Sequence, residues 1–187
     1  VLVLLIPTLL AGTMSVKGIT EAQSPAWYIF LSPLGALIFL ISSVAELGRA
    51  PFDLSEAESE IVAGFHIEYT GMKFGLFYAG ELLHAFTFGG FTAILFFGGY
   101  RFFGLENLGA IVAVAIFLVK AMIGYWIIMW IKYTMPRIRI DHMLAFNWKF
   151  LTPLALAVLI ATAVMEEILA RTSPWVYSLG LFLVNLA

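Results

Sequence analysis

Half of the acidic residues in this chain lie close together, between two apolar stretches. Six of the twelve carboxylates occupy 23 consecutive positions; they are Glu46, Asp53, Glu56, Glu58, Glu60 and Glu68. Glu56 and Glu60 are four residues apart, so in a helix they share one face and repel each other. Clustered carboxylates raise one another's pKa. Such groups can take up and release protons near neutral pH.

A local structural explanation exists for one of these acids. Ser55 followed by Glu58 matches a capping box, and Gly64 matches the end of a short helix over 56–63. That helix explains Glu58 alone. The same stretch is too apolar for a freely solvated tail, so we expect it to fold back onto the protein; its apolar members are Phe52, Leu54, Ile61, Val62 and Phe65.

Two ionisable residues, Glu81 and Lys120, lie inside long apolar stretches. Charges at such depth are costly unless they are paired or hydrated. The two interpretations are a proton path and a buried structural ion pair, in which the lysine reaches the carboxylate directly or through one water. His84 shares a face with Glu81, but a single Glu-x-x-His pair lacks further ligands, so no metal site is predicted.

The composition determines the surroundings of these residues. The chain has 187 residues, 62% of them hydrophobic and 12% charged, with a mean hydropathy of +0.99. So few charges cannot cover a water-soluble fold, so a lipid bilayer is the expected solvent. The net charge of -2 offers no basic patch for nucleic acid, and the lack of cysteine excludes thiolate-bound zinc or iron–sulfur clusters in this chain. Because Val1 opens inside an apolar run, we expect earlier helices to precede it.

The gaps between charges predict an all-α, polytopic transmembrane helix bundle. We expect a single membrane domain fragment over 1–187, with about five to six transmembrane segments, the first and last partial, and a long folded acidic loop at 46–72. A kink is expected near Pro33. The predicted segments are 1–14, 27–45, 74–100, 110–131, 150–164 and 174–187.

Polar connections separate these segments and indicate their orientation. The acidic loop and a basic segment, defined as 132–149, are two spans apart and should share a side. Six basic residues lie on that side and three on the other, which predicts that the loops face the cytoplasm, or the matrix in a mitochondrion.

Several motifs carry a resemblance to a known family. They are AELGRAPFDL at 45–54, EAESE at 56–60, GFHIEY at 64–69, GMKF at 71–74 and PRIRID at 136–141. From Val1 to about Val164 the chain resembles the H subunit of bacterial respiratory complex I, the NADH:quinone oxidoreductase, which is equivalent to subunit 1 of the mitochondrial enzyme. Leu47, Gly48, Leu82 and Lys132 depart from the residues more common in that family.

The resemblance implies a function in quinone reduction. It implies that Arg49, Phe52 and Phe65 help wall a chamber for quinone, the substrate. It implies a hydrated proton path that includes Glu46, Asp53, Glu56, Glu58, Glu60, Glu81 and Lys120. The implied partners are a peripheral arm that carries the last iron–sulfur cluster, antiporter-like membrane subunits and the bilayer. The implied location is the bacterial inner membrane, or the mitochondrial inner membrane.

Two alternatives stand beside this interpretation. One is the related subunit of a membrane-bound hydrogenase or of a ferredoxin- or F420-linked oxidoreductase. The unbroken RAPFDL and Glu-x-Glu-x-Glu motifs favour the quinone-reducing branch. The other alternative is a stand-alone transporter. Paired broken helices in inverted repeats are typical of such transporters, and the sequence shows no such repeat.

Overall fold

The fold is described by a computed structural model for residues 1–48, 50–52, 68–102, 104–169 and 174–186. Regular structure in these residues is entirely helical, which confirms the all-α prediction. A 3-10 turn, Leu2–Leu4, precedes the first helix, another, Leu105–Leu108, lies between the fifth and sixth, and a π-helical turn, Phe146–Leu151, precedes the eighth. The α-helices are α1 Leu5–Ala11, α2 Val16–Ala22, α3 Tyr28–Leu31, α4 Pro33–Glu46, α5 Met72–Phe96, α6 Ala110–Thr134, α7 Ile140–Ala145, α8 Thr152–Leu169 and α9 Pro174–Leu186.

Within the residues that the structure describes, three helical stretches are long and apolar enough to cross a bilayer. They are α5 and α6, with 25 residues each, and the continuous run Ile140–Ile168. At 1.5 Å per residue, α5 is about 37 Å long, more than the roughly 30 Å of a hydrocarbon core. A fourth span results if α1 and α2, bent by 60°, count as one. Two further apolar helices, Pro33–Glu46 and Val176–Asn185, are shorter than these stretches. The predicted number of five to six transmembrane segments therefore stays a prediction.

The polar connection predicted over 15–26 contains a helix, α2. The preceding helix ends at Gly12, whose left-handed φ of 63° suits glycine at a helix C-terminus. The chain then turns and α2 begins after Ser15. The connection is therefore partly helical, and α2 buries Ile19 in the main apolar cluster.

The predicted span over 27–45 is interrupted, as Pro33 indicated. Ser32 leaves helical geometry with φ of -137° and ψ of 70°. Pro33 then occupies the first turn of α4, where its missing N–H costs nothing. The kink predicted near Pro33 is therefore confirmed.

The basic segment at 132–149 is mostly helical, which corrects its prediction as a loop. The α6 helix continues through Lys132 to Thr134, and helix resumes at Ile140. Charges mark where a helix leaves the apolar core, but a helix continues as long as its backbone hydrogen bonds do. The predicted helices, which ended at the first charged residue, were therefore too short.

The closest helix contact joins α5 to α6 through two glycines. A Cβ added to Gly89 would lie 2.5 Å from the carbonyl oxygen of Ala121 and 2.7 Å from the nitrogen of Tyr125. A Cβ on Gly124 would lie 2.9 Å from the oxygen of Gly89. Small residues let membrane helices approach and gain dispersion contacts. The two antiparallel helices therefore form one tightly packed pair.

The last helix is an integral part of the bundle. Leu181 of α9 is fully buried in a cluster that also holds Ile6, Ile38 and Phe96. Asn185 donates from Nδ2 to the carbonyl of Leu31, at 3.3 Å, and its Oδ1 accepts from the Ser32 hydroxyl at 2.9 Å. These bonds supply partners to the backbone where α3 breaks from α4.

We predict that Gly89→Ala destabilises the protein by about 1–3 kcal/mol, because the new methyl group overlaps backbone atoms of α6. Gly80→Ala is the matched control, since nothing lies within 4 Å of a Cβ there. That change should be neutral or slightly stabilising, because alanine favours helix more than glycine does. The free energy of unfolding in mixed micelles measures both. Equal stability of the two variants would contradict the close contact.

Candidate functional site

The structure places four of the ten predicted site residues. These are Glu46, Phe52, Glu81 and Lys120. The other six lie outside the described residues; they are Arg49, Asp53, Glu56, Glu58, Glu60 and Phe65. We call the end of the bundle that holds residues 46–48, 50–52 and 135–139 the acidic-loop end. The end that holds residues 97–102 and 104–109 is the turn end.

The start of the acidic loop is packed against the helices. Phe52 is 6% exposed and belongs to an apolar cluster with Leu47, Ala85 of α5 and Ile128 of α6. Its ring also stacks on Phe146, with centroids 6.4 Å apart. Phe52 therefore anchors the loop to three other parts of the bundle.

A backbone hydrogen bond joins the two segments that were predicted to share a side. The N–H of Ile138, in the basic segment, donates to the carbonyl of Pro51 at 3.0 Å. Direct contact requires both segments to lie at the same end of the bundle. The predicted relative topology is confirmed for these residues.

Glu81 lies on the face of α5 that is turned toward this anchor. It precedes Ala85 by four residues, and residues four apart share a helix face. Glu81 is partly buried and lies nine residues after the first residue of α5, about 13 Å along the helix. Its neighbour His84 is exposed, with its ring 5.1 Å from that of Phe88. The carboxylate is thus near the acidic loop but well inside the span.

Glu46 is the last residue of α4 and is exposed. It lines an open cavity of about 410 Å³ together with Ser42, Met143, Asn147 and Thr152. A helix C-terminus carries partial negative charge, so an acid there gains nothing from the helix dipole. Helix stability therefore does not explain an acid at this position. The cavity is mostly apolar, and Ser42, Asn147 and Thr152 are the polar residues that share it with Glu46.

Lys120 lies at the turn end, away from the other predicted site residues. Its ammonium donates to the carbonyl oxygens of Phe97 and Arg101, at 2.6 and 2.5 Å. It also lies 4.7 Å from the ring centroid of Trp27 and 5.6 Å from that of Phe102. Phe97 is the C-cap of α5, so the lysine places a cation where the helix dipole is negative.

Direct pairing of Glu81 with Lys120 was a wrong prediction. Glu81 lies eight residues before Gly89, and Lys120 lies four before Gly124, the glycine that contacts Gly89. Because the helices are antiparallel, these offsets add to twelve residues, or about 18 Å along the axis. The lysine instead reaches the nearer turn end.

A buried glutamine at the turn end was missed by the sequence interpretation. Gln23 is 1% exposed, and both its amide nitrogen and its amide oxygen form two hydrogen bonds. Nε2 donates to the carbonyls of Ile19 and Ile94, and Oε1 accepts from the N–H groups of Tyr28 and Gly98. Gln23 thereby ties α2, α3 and the end of α5 together. Nothing in its polar neighbourhood in the sequence distinguishes it from a surface residue.

Glu106 is an acid in the turn end of the bundle. Its Oε2 accepts from the N–H groups of Phe102 and Gly104, each at 3.1 Å. Hydrogen bonds from its own backbone N–H and from those of Phe102 and Gly104, together with the charge of Arg101, lower the pKa of Glu106. The carboxylate is therefore ionised at neutral pH. Within the described residues, no group of three or more histidine, aspartate or glutamate side chains is placed to hold a metal ion.

Comparison of the sequence with those of known proteins identifies one family. The NADH dehydrogenase family profile matches residues 1–163. The H subunit of the NADH-quinone oxidoreductase of Geobacillus kaustophilus strain HTA426 is 44% identical over 158 residues, which cover 84% of this chain and 47% of that protein. The protein of the same name from Anoxybacillus flavithermus is 41% identical over 160 residues, or 86% of this chain and 47% of the relative. The chain spans about half the length of the curated relatives it matches.

We predict that Glu81→Gln and Lys120→Met have additive effects on the free energy of unfolding, because their sites are about 18 Å apart. The coupling energy of this double-mutant cycle should stay within about 0.5 kcal/mol. Lys120→Met alone should cost about 1–3 kcal/mol, because two carbonyls lose their donor.

The matched control is the pair Lys120→Met and Trp27→Leu, whose side chains are in contact. This cycle should show a coupling of about 0.5–3 kcal/mol. A coupling energy of that size between Glu81 and Lys120 would contradict the separation of about 18 Å and support a direct ion pair.

Proposed function

The chain belongs to the NADH dehydrogenase family, and on that premise we propose that it forms part of the membrane-embedded H subunit of a proton-pumping NADH:quinone oxidoreductase. The observation that carries the proposal is the arrangement at the acidic-loop end. There the start of the acidic loop is anchored by Phe52 on α5, and Glu81 lies on the same face of that helix. The anchored start of the acidic loop and an acid within a span thus lie against one face of α5.

In this proposal the acidic loop forms part of the wall of the chamber in which quinone, the substrate, is reduced. We propose that Arg49 and Phe65, which lie outside the described residues, belong to this wall. Phe52 is buried between helices, so its part is to hold the wall in place rather than to touch the quinone. Reduction of a quinone to a quinol takes up protons as well as electrons. Carboxylates close to the chamber can supply those protons.

The proton path begins in the same loop. Glu46 and the loop acids Asp53, Glu56, Glu58 and Glu60 collect protons at the surface of the acidic-loop end. Glu81 carries them into the span. Lys120 marks the far end of the same helix pair, so the stretch between it and Glu81 is bridged by water or by groups from other helices.

The proposed surroundings follow from the relatives' name. The protein lies in the bacterial inner membrane, or in the mitochondrial inner membrane if the chain comes from an organelle. It contacts a peripheral arm that carries the last iron–sulfur cluster and antiporter-like membrane subunits. The electrons and NADH chemistry belong to those partners.

For the chamber, we expect Arg49→Ala to lower quinone reductase activity by about tenfold or more, because a charge-assisted contact in the chamber wall is lost. Electron transfer from NADH to an artificial acceptor such as ferricyanide should persist in the same membranes, because that route does not use the chamber. Arg49→Lys should retain intermediate activity. Parallel loss of both activities would point to failed assembly and contradict a specific role.

For the proton path, we expect Glu81→Gln to assemble but to lose quinone reduction coupled to proton movement, because glutamine cannot exchange a proton. Glu81→Gln with Lys120→Met should not recover it. Glu167→Gln, at an exposed position of α8, is the matched control and should pump normally. Acidification measured with a pH-sensitive dye in reconstituted vesicles reports the result. Normal pumping by either Glu81 variant would refute the path.

A further inference from the structure

A carboxyl group and two tyrosine hydroxyls come together where α9 packs on α3 and α8. They belong to Tyr28, the first residue of α3, to Glu166 of α8 and to Tyr177 of α9. The Tyr177 hydroxyl donates to the Glu166 carboxyl group, and the Tyr28 hydroxyl interacts electrostatically with both residues. Tyr28 lies in the main apolar cluster, which also holds Leu181, and Tyr177 packs against that cluster. The carboxyl group is therefore held at a junction of helices whose surroundings are apolar.

One oxygen of this carboxyl group has no hydrogen-bond partner among the described residues. The atom is Oε2 of Glu166, which is buried, and the hydroxyl of Tyr28, a residue only 3% exposed, is unpartnered as well. Both oxygens have almost no accessible surface, so neither a water molecule nor a metal ion can reach them. A proton needs no such space. An ionised carboxylate oxygen that is buried without a donor is far more costly than a neutral one, and protonation removes that cost.

The cations of the turn end do not form a salt bridge with Glu166 within the described part of the chain. They interact with other acids instead: Lys17 pairs with Glu21, and Lys120 and Arg101 interact with Glu106. The charge of an ionised Glu166 would therefore not be compensated by these three residues.

The elements that pack against α8 add no charge close to Glu166. The first 3-10 turn, α1 and α9 contain no charged residue. The charged residues of α4 and of the π-helical turn are Glu46 and Lys149, and both lie at the acidic-loop end. On α8 itself, the adjacent Glu167 is exposed and has the same sign of charge. Arg171 follows α8 and lies outside the described residues.

The carboxyl group lies on the side of the bundle opposite to the acidic loop. The backbone of Tyr28 is joined through the side chain of Gln23 to the turn after α5. Glu166 lies 20 residues after Phe146, whose ring stacks on Phe52 at the acidic-loop end. At 1.5 Å per residue this separation is about 30 Å, which is the thickness of a hydrocarbon core.

We propose that Glu166 and Tyr177, closed off by Tyr28, form a proton-binding site in which the carboxyl group is protonated at neutral pH. The proton lies on Oε2, and the other oxygen accepts from the Tyr177 hydroxyl. When the proton leaves, it passes to water at the turn end along the partly exposed side of Glu166, and a carboxylate remains. Glu166 and Tyr177 both follow residue 163, where the family match ends. The site is thus separate from the acids of the proposed proton path, and it can be examined without quinone turnover.

The test is infrared difference spectroscopy of the purified intact complex between neutral and strongly alkaline pH. The wild type should lose a band of a protonated carboxyl group as the pH rises, and Glu166→Gln should lack that band. Glu167→Gln changes the exposed neighbour on the same helix, so it is the matched control and should keep the band. Heavy water should lower the frequency of the band, because the bound proton exchanges with solvent.

A second pair of variants keeps the carboxyl group and changes its neighbours. Tyr177→Phe removes a hydrogen bond to the carboxyl group, so the band should move to higher frequency. Tyr28→Phe removes a hydroxyl that has no hydrogen-bond partner among the described residues, so it should move the band less.

Three outcomes would overturn the proposal. Equal spectra of the wild type and Glu166→Gln would show that Glu166 is ionised, for example through a pair with Arg171. Loss of the band in Glu167→Gln would assign the proton to the wrong residue. An unchanged frequency in Tyr177→Phe would show that the protonated group is not the one that Tyr177 contacts.

Discussion

The whole arrangement depends on satisfying backbone hydrogen bonds in surroundings without water. In an apolar medium every free N–H or C=O group is costly, so a break in a helix needs a polar side chain beside it. This chain breaks its helices and supplies such side chains from distant positions. Asn185 serves the break between α3 and α4, and Gln23 and Lys120 serve the C-terminal end of α5. These three polar residues are therefore structural parts of the apolar bundle.

The tight α5–α6 pair then divides the molecule into two chemically different ends. Gly89 and Gly124 set the register between the helices, and that register places Glu81 toward the acidic loop and Lys120 toward the opposite turn. At the acidic-loop end, apolar anchoring through Phe52 holds the start of the loop against the helices. At the turn end, cationic and aromatic groups surround the helix C-terminus. Movement of charge between the two ends requires more than one transfer.

The errors in the predicted helix ends arise because a charged residue indicates only where a helix leaves the apolar core. The α6 helix continues past Lys132 to Thr134 because its backbone hydrogen bonds continue beyond that residue. The break at Ser32 was foreseen because proline lacks an N–H, a local property of one residue. The partner of Lys120 was not foreseen, since its acceptors are carbonyls of residues 97 and 101, and any residue can provide a carbonyl.

The sequence by itself determined the membrane setting, the all-α class and the family, because hydropathy and long motifs are properties of consecutive residues. It also located the acids at the start of the loop and the two charges within the spans. Only the tertiary structure decided which of these residues meet. Helix register arises from close contacts such as that between Gly89 and Gly124, which join residues far apart in the chain. A shift of a few residues in that register would change every distance between Glu81, Lys120 and their neighbours.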